Sequence, residues 1–305
     1  MVNPEFICEF TTNHMGNFNL LMQMVKKASE TGADYIKMQK KDVDTFYTQE
    51  KLNSPYSSPY GKTYGDYRRI FEFDKREFDY FDLECKKHNI KWFATAQDLP
   101  SLEFLLDYDL DMYKLASCNA NKQDLLTEFS KMIPSDKTVV VSVAGRTMEE
   151  IEFVLDTFGD HKVVLNHCVA EYPCKDENLR LGNITTMKEM WESDRVRIGY
   201  SGHEQGIVPS IAAAMLGAEF IERHFCLSRD SFVHHIECSL EPDEFKQMID
   251  TIRNGTFDPD GVETILCESA WDSVFGMSEM EKSFLLHNRY GDDYLRDRSE
   301  DVQYP

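Results

Sequence analysis

The length and composition of the chain predict a globular protein. Of its 305 residues, 42% are hydrophobic and 29% are charged, a balance that excludes a disordered chain. The formal net charge of −21 disfavours nucleic acids and anionic membranes as partners, because the long-range field repels both. The first residues carry no basic segment followed by an apolar run, and no apolar stretch approaches about 20 residues, so we expect a cytoplasmic protein without membrane contact.

Runs of apolar, β-branched or aromatic residues alternate with amphipathic stretches over most of the chain. The runs predict strands over Phe6–Thr11, Tyr35–Gln39, Lys91–Thr95, Met112–Ala116, Thr138–Ser142, Val163–Asn166, Arg197–Tyr200 and Phe220–His224. The amphipathic stretches predict helices over Leu20–Thr31, Lys75–His88, Leu102–Leu106, Lys122–Met132, Met148–Phe158, Thr185–Glu192, Ile207–Leu216 and Pro242–Arg253. Eight alternating units favour a closed (β/α)8 TIM barrel over residues 1–255, with an open doubly wound sheet as the alternative.

Two regions break this alternation. Residues 40–74 follow the second predicted strand, are rich in Tyr, Ser and Pro, and are too long for an ordinary barrel loop. Because they follow the carboxyl end of a strand, we expect them over the mouth of the barrel, either as a lid that closes on substrate or as an excursion that packs without moving. Residues 256–305 form an acidic tail that we expect to be partly helical, with one helix near Ser278–His287.

Two lysines stand inside predicted strands, where a lysine is rare unless it is paired or functional. These are Lys37, in Tyr-Ile-Lys-Met-Gln, and Lys114, in Met-Tyr-Lys-Leu-Ala-Ser. Because strand ends meet at one edge of a barrel, the two lysines predict a site for an anion with several oxygens. Hydroxyl groups at the ends of strands would complete the cradle, at Thr95, Ser117, Ser142 and Ser201. The alternative is that each lysine reaches the rim or pairs with a carboxylate inside the barrel.

A pair of histidines ends the last two predicted strands. His203 and His224 follow neighbouring strands of a closed barrel, so their imidazoles could share one divalent metal. With only two protein ligands, water or substrate would complete the coordination shell and leave room for Lewis-acid chemistry. The alternative is that these are ordinary structural histidines. Other histidines compete for the role of ligand, namely His14, His167, His234 and His235.

Several motifs, in order and at matching spacing over residues 5–253, resemble one known family. They are EFTTNHMGNFNLLMQMVKKASETGADYIKMQ, YKLAS, VVVSVAG, LNHCVAEYPC, IGYSGHEQG and GAEFIERHF with a following SLEPDEF. Together they resemble the sialic acid (N-acetylneuraminate) synthases and their legionaminic and pseudaminic acid relatives. No single one of these motifs would suffice to indicate the family, but their combination is specific to it.

The resemblance implies roles for the matching positions of this chain. It implies catalytic positions at Glu9, Lys37 and Gln39. It implies that phosphoenolpyruvate is also held by Thr95, Lys114, Ser117, Ser142 and Ser201. Tyr172 matches a residue near the sugar. His203 and His224 match the ligands of a divalent metal, with Mn²⁺ as the expected ion.

The reaction that the resemblance implies joins phosphoenolpyruvate to a sugar aldehyde. The metal would polarise the aldehyde of an open-chain N-acyl hexosamine such as N-acetylmannosamine. Carbon 3 of phosphoenolpyruvate would attack it, water would add to carbon 2, and loss of phosphate would leave a nonulosonic 2-keto acid. Glu9 would steer the water or stabilise the cation. The family also suggests a homodimer.

Departures from the family's usual pattern gather on the sugar side. They are Ala96 for Pro, Cys118 and Asn119 for Gly and an acidic residue, Ala170 for Asn, Gly202 for Asp, and His235 for an Asp that contacts substrate. The bacterial enzymes also carry a C-terminal antifreeze-like domain, which the tail does not resemble. The sequence therefore predicts a retained anion and metal side and a rebuilt acceptor pocket. His235 is also a candidate third metal ligand beside His203 and His224.

Two further functions stay open at this point. One is another phosphoenolpyruvate-dependent 2-keto sugar acid synthase that uses a phosphorylated aldose. Such an acceptor needs a second basic cluster, for which Lys62, Arg68 and Arg69 in the insertion are candidates. The other is a divergent barrel without catalysis, or one subunit of a split synthase, because function depends on the site rather than on the fold.

Overall fold

A computed structural model gives the structure of residues 3–231, 233, 235–269 and 274–284. Within those residues, eight parallel strands close into a barrel in which each strand pairs with its neighbours in chain order and the first pairs with the last. These strands, β1 to β8, are Glu5–Glu9, Tyr35–Lys40, Lys91–Ala96, Met112–Leu115, Thr138–Ser142, Lys162–His167, Val196–Gly202 and Phe220–His224. The predicted closed (β/α)8 barrel is confirmed, and the open sheet is excluded.

A helix follows each strand and covers the outside of the barrel. These helices, α1 to α8, are Phe18–Thr31, Lys75–Lys87, Leu99–Leu106, Gln123–Met132, Met148–Thr157, Gly182–Trp191, Val208–Met215 and Pro242–Asn254. Local sequence fixes several of their ends. The Asn17 side chain accepts a hydrogen bond from Leu20 N, and α1 stops at Gly32, whose φ of 87° belongs to the left-handed region that favours glycine. Asp74 and Glu77 form a capping box at the start of α2.

The barrel interior changes from apolar to polar along the strands. Its lower layer is fully or almost fully buried and consists of Ile7, Tyr35, Phe93, Met112, Val140, Val164 and Phe220. Side chains of a strand alternate between the two faces, so residues two positions later point into the same interior. Those residues are Glu9, Lys37, Thr95, Lys114, Ser142, Asn166 and Glu222. An apolar floor therefore supports a polar layer at the carboxyl ends of the strands.

The insertion after β2 is folded rather than irregular. It contains two short helices, Val43–Phe46 and Gln49–Asn53, a hairpin of Pro55–Ser58 and Gly61–Thr63, and a third helix, Tyr64–Arg69. Its apolar residues, including Phe46 and Tyr47, pack in one cluster with residues of the loops after other strands. The insertion thus lies over the mouth of the barrel, as expected, while its movement as a lid stays a prediction.

The chain beyond the barrel contributes two more helices. α9 spans Pro259–Glu268 and packs against α7, and α10 spans Glu279–Phe284. The helix expected near Ser278–His287 agrees with α10 as far as residue 284, and its last three residues lie outside the described part of the chain. All eight cysteines of the sequence fall within the described residues and are free thiols. Among the described helices, none has the length and apolar character that crossing a membrane requires.

Candidate active site

A cavity of about 630 Å³, part of it open to solvent, lies at the carboxyl ends of the barrel strands. Eleven of the twelve site residues expected from the sequence line it, and they are Glu9, Lys37, Gln39, Thr95, Lys114, Ser117, Ser142, Tyr172, Ser201, His203 and His224. The twelfth, His235, is not part of the lining, but its ring centroid lies 4.4 Å from that of Tyr172. The residues expected to act together therefore meet around one space.

The strand register explains why distant residues meet. Glu9 pairs with Lys37 on one side and with His224 on the other, which joins β1 to β2 and β8. Thr95 in β3 pairs with Lys114 in β4. Since each pair of neighbouring strands is in this register, a continuous belt of polar side chains forms around the interior.

Two lysines and two glutamates form a buried charge network in this belt. Lys37 Nζ contacts the Glu9 carboxylate and lies 3.6 Å from Glu222 Oε1. Lys114 Nζ donates to both oxygens of Glu222, at 2.6 and 2.7 Å. Each lysine therefore pairs with a carboxylate inside the barrel, which was one of the alternatives that the sequence left open. This pairing accounts for the burial of both lysines.

Neutral donors complete the belt around the ion pairs. Lys37 Nζ donates to Thr95 Oγ1 at 2.9 Å, and Ser201 Oγ donates to Glu222 Oε1 at 3.1 Å. Gln39 Nε2 donates to Glu9 Oε1 at 2.7 Å. Hydroxyl and amide groups that can rotate offer further hydrogen bonds to an anion that enters between the lysines.

Burial and charge shift the pKa values of these groups in different directions. Burial raises the pKa of Glu9, and Lys37 only partly offsets this effect. Burial alone would also raise the pKa of Glu222, but Lys114 and Lys37 together hold it below its ordinary value. Burial lowers the pKa of Lys114 in spite of Glu222. Glu9 is therefore the carboxylate that takes up a proton most readily, and a proton there leaves the four-residue network with one net positive charge.

The two strand-end histidines lie near each other in the same cavity. The centroids of the His203 and His224 rings are 5.4 Å apart. His203 Nδ1 lies 2.7 Å from Val169 O, and because a carbonyl can only accept, Nδ1 carries the proton and Nε2 carries the lone pair. His224 Nδ1 lies 3.6 Å from Cys238 Sγ, whose own thiol donates to His235 O at 3.1 Å. This arrangement also favours a lone pair at Nε2 of His224.

Two imidazole Nε2 atoms form a donor set that suits a divalent transition metal. Among the described residues, no group of three or more His, Cys, Asp or Glu side chains is arranged to hold a metal ion. The role of His235 as a third ligand stays a prediction. Its backbone is left-handed, with φ of 64°, and its ring packs on Tyr172, which also contacts His203 with ring centroids 4.1 Å apart. His234 lies outside the described residues.

A buried ion pair links the loops that carry the two histidines. Arg223 is fully buried and donates to Glu204 Oε1 at 2.7 Å, to Ser210 Oγ at 2.9 Å and to Cys238 O at 3.3 Å. Tyr200 OH donates to Glu204 Oε2 at 2.8 Å. Since Glu204 follows His203 and Arg223 precedes His224, this network fixes both histidines relative to β7 and β8.

Sequence reasoning assigned no role to several residues of the site. Glu222 is the partner of both lysines, and Lys41 and Gln97 line the cavity directly after β2 and β3. Lys41 Nζ donates to Tyr47 OH at 3.1 Å and lies 4.0 Å from the centre of the Phe46 ring. Lys41 and Gln97 each directly follow a strand, so the strand-end rule also applies to these two residues.

The departures from the family pattern have local structural partners. A Cβ at Gly202 would lie 2.3 Å from Glu204 Oε2 and 2.7 Å from the Tyr200 ring, so any side chain there must displace the buried network. Asn119 is buried and donates to Gln97 O at 2.8 Å. Ala170 N donates to Glu281 Oε1 at 3.1 Å. These three positions therefore each have specific contacts with neighbouring parts of the chain.

Comparison with known proteins identifies the family. The model of the NeuB family matches residues 24–257. The chain belongs to the NeuB family. It is 34% identical over 253 residues to N-acetylneuraminate-9-phosphate synthase of Drosophila melanogaster, covering 81% of this chain and 67% of the relative. It is 29% identical over 257 residues to N,N'-diacetyllegionaminic acid synthase of Campylobacter jejuni, and the match covers 81% of this chain and 75% of that relative.

A solved structure of a NeuB-type enzyme agrees with this membership. The N-acetylneuraminic acid (sialic acid) synthetase of Leptospira borgpetersenii, in complex with citrate, superposes with a TM-score of 0.72 at 28% identity. The match covers 87% of this chain and 91% of that one. The resemblance to sialic acid synthases is confirmed, and so is the prediction that this NeuB-family chain is a synthase-type enzyme.

Proposed function

We propose that this NeuB-family chain condenses phosphoenolpyruvate with the aldehyde of an N-acyl hexosamine, giving a nonulosonic 2-keto acid and phosphate. One observation carries the proposal: Lys37 and Lys114 share a single cavity with the imidazoles of His203 and His224. The names of the relatives from Drosophila melanogaster and Campylobacter jejuni, both synthases of nine-carbon sugar acids, support it.

The lysine side of the cavity would hold the anionic substrate. Phosphoenolpyruvate carries a phosphate and a carboxylate, so it needs two cations and several neutral donors. Lys37 and Lys114 supply the charge, and the hydroxyls of Ser117, Ser142 and Ser201 supply donors.

The histidine side would hold a divalent metal, with Mn²⁺ as the proposed ion. His203 and His224 fit it through their Nε2 lone pairs, and solvent or substrate oxygens would supply the remaining ligands. When bound, the ion supplies Lewis-acid polarisation of a carbonyl oxygen. Tyr172, packed on the His203 ring at 4.1 Å, would form the wall against which the sugar lies.

The chain's own residues would guide each bond change. Carbon 3 of phosphoenolpyruvate forms a bond to the aldehyde carbon, and the aldehyde oxygen becomes a hydroxyl. Water adds to carbon 2, and one of its protons replaces the proton that the aldehyde oxygen has taken up. The carbon–oxygen bond to phosphate then breaks as the remaining hydroxyl proton leaves with the phosphate, which gives the 2-keto group. Glu9, held by Gln39 Nε2 at 2.7 Å, is suited to accept the proton of that water because burial brings its pKa upward from the ordinary range of a carboxylate.

A phosphorylated amino sugar is a second candidate acceptor. One relative is named as the synthase of a 9-phosphate product. Of the basic residues expected to hold such a phosphate, Lys62 is exposed and Arg69 pairs with Asp44, and neither lines the cavity. Lys41, buried and part of the lining, is the cation that favours this candidate. A homodimer and a cytoplasmic location stay predictions.

Phosphate release from phosphoenolpyruvate tests the proposal. The assay compares N-acetylmannosamine, its 6-phosphate and unrelated aldoses, each with Mn²⁺ and with a chelator, and without acceptor as the control. We expect release that requires both an amino sugar and the metal. No release with any aldose in the presence of Mn²⁺ would contradict catalysis, and calorimetric binding of phosphoenolpyruvate in that case would point to a divergent barrel or a split synthase.

A further inference from the structure

The chain returns to the mouth of the barrel after α9, in a segment that we call the strap, residues 274–284. The backbone of Val274 exchanges two hydrogen bonds with the Asn183 side chain, at 2.9 and 3.1 Å. Gly276 N donates to Arg146 O at 2.7 Å, and Arg180 Nη1 donates to Gly276 O at 3.2 Å. The family model ends at residue 257, so the strap lies beyond the part of the chain that it matches.

The strap carries a carboxylate into the protein. The Glu281 side chain is only 1% exposed, and a buried carboxylate is tolerated only when it is paired. Its Oε1 accepts from Ala170 N at 3.1 Å, and its Oε2 accepts from Ser278 N at 3.0 Å. Arg180 Nη1 lies 3.6 Å from Oε2 and balances the charge.

Glu281 and His203 bind opposite ends of the same peptide group. The peptide between residues 169 and 170 donates its N–H to Glu281, while its carbonyl, Val169 O, accepts from His203 Nδ1 at 2.7 Å. A carboxylate on the N–H end polarises a peptide and makes its carbonyl a stronger acceptor. A stronger acceptor holds the imidazole in one orientation and makes the Nε2 lone pair a better metal ligand. A carboxylate that contacts a metal-bound histidine directly has the same effect.

The strap also touches the wall of the acceptor side. Met277 packs in the cluster that contains Ala170 and Tyr172, and a Cβ at Gly145 would lie 2.8 Å from Met277 Cγ. Tyr172 stands two residues after Ala170, and its ring packs on His203. The strap thus contacts the peptide that orients His203 and packs in the same cluster as the aromatic residue beside it.

We propose that Glu281 is a positioning residue for His203 and acts through the peptide between Val169 and Ala170. The inference rests on the proposed function, because the metal role of His203 belongs to that proposal. It assigns to the strap a part of the site that the barrel alone does not complete. Glu281 touches neither of the proposed substrates, so its effect passes through His203.

Mn²⁺ binding to the full-length protein, followed by electron paramagnetic resonance with phosphoenolpyruvate present, tests the inference. We expect E281A to weaken Mn²⁺ binding about 10- to 100-fold, as removal of an outer-shell partner does elsewhere. E281Q should have an intermediate effect, because its amide oxygen still accepts from Ala170 N without the charge. E279Q is the matched control, since Glu279 lies on the same helix with a side chain that is 91% exposed.

Amide hydrogen exchange gives a second readout that needs no metal. The amide of Ala170 should exchange faster in E281A than in the unmodified protein and in E279Q, while amides of the barrel strands stay protected. Should E281A fail to fold, E281Q carries the test. Unchanged Mn²⁺ affinity in E281Q and E281A would overturn the inference alone, whereas no saturable Mn²⁺ binding by the unmodified protein would overturn the metal site of the proposed function and the inference with it.

Discussion

The two sides of the cavity are built in different ways. The lysine side stands on barrel strands, with Lys37, Lys114 and Glu222 fixed by strand register and by mutual charge. The acceptor side stands on loops, where Tyr172 and Lys41 are held by the insertion and by the strap. Strand positions bring chemical groups together with little freedom, whereas loop positions depend on contacts between distant segments. Substitutions should therefore damage the first side by breaking charge balance and alter the second by shifting substrate preference.

Removal of Lys114 should have the largest effect. K114M leaves the buried Glu222 with the Ser201 hydroxyl and Lys37, at 3.6 Å, as its remaining partners. We therefore expect a loss of about 3–5 kcal/mol in the free energy of unfolding. Turnover should fall about 10²- to 10³-fold because a cation that contacts the developing charge is gone. Urea unfolding and phosphate release measure the two effects.

Two comparisons separate charge balance from catalysis in this test. The double variant K114M/E222Q removes the unpaired buried charge, so it should recover part of the stability but none of the activity. K91A, at an exposed ion pair with Asp111, should cost at most about 1 kcal/mol and leave turnover unchanged. Recovery of activity in the double variant would show that Lys114 has only a structural role.

Acid should destabilise the fold through two buried histidines near the carboxyl ends of strands, His14 after β1 and His167 at the end of β6. Burial lowers the pKa of both His14 and His167 from 6.5 to about 4. The unfolded chain binds more protons than the folded chain between these values, so the stability that the two neutral histidines contribute is present above pH 6.5 and is lost as the pH falls toward 4. Each should cost about 3 kcal/mol by pH 4, because one pKa unit is worth about 1.4 kcal/mol.

The variant H167Q isolates one of these contributions. Gln can still donate to Leu179 O, which His167 Nε2 reaches at 2.8 Å, but it does not titrate. Urea unfolding at pH 7 and pH 4.5 should show a smaller loss for H167Q than for the unmodified protein, by about 2–3 kcal/mol. H88Q, on the surface of the barrel, is the control. Equal losses in all three proteins would contradict the assignment.

Removal of Lys41 should have the smallest effect and the most selective one. K41M should raise the KM for a phosphorylated amino sugar about 10-fold and leave the KM for phosphoenolpyruvate unchanged, because Lys41 stands on the insertion side of the cavity. The neighbouring K40M is the control, since Lys40 binds Phe73 O at 3.0 Å and does not line the cavity. Steady-state kinetics with both substrates measure the two KM values. An equal rise in both would contradict a selective role and place Lys41 on the lysine side.

Much of this architecture could be predicted from the sequence because strand patterns are local. The eight strands and eight helices of the barrel lie where apolar runs and amphipathic stretches predicted them, with small shifts at the ends such as β7, which runs from Val196 to Gly202 rather than from Arg197 to Tyr200. The strand-end rule found ten residues of the cavity lining and the family resemblance added Tyr172. The same rule could also have found Lys41 and Gln97. The roles of these residues stay a proposal.

What the sequence determined by itself was the barrel, the family and the residue types that the strands present to the interior, because these follow from periodicity and from motifs of contiguous residues. Only the tertiary structure decided which partners those residues have. It paired both lysines with Glu222, packed the His235 ring on Tyr172 and brought Glu281 to the peptide that orients His203. Such contacts join residues that are about 100 positions apart or more, and no local pattern encodes the geometry in which they meet.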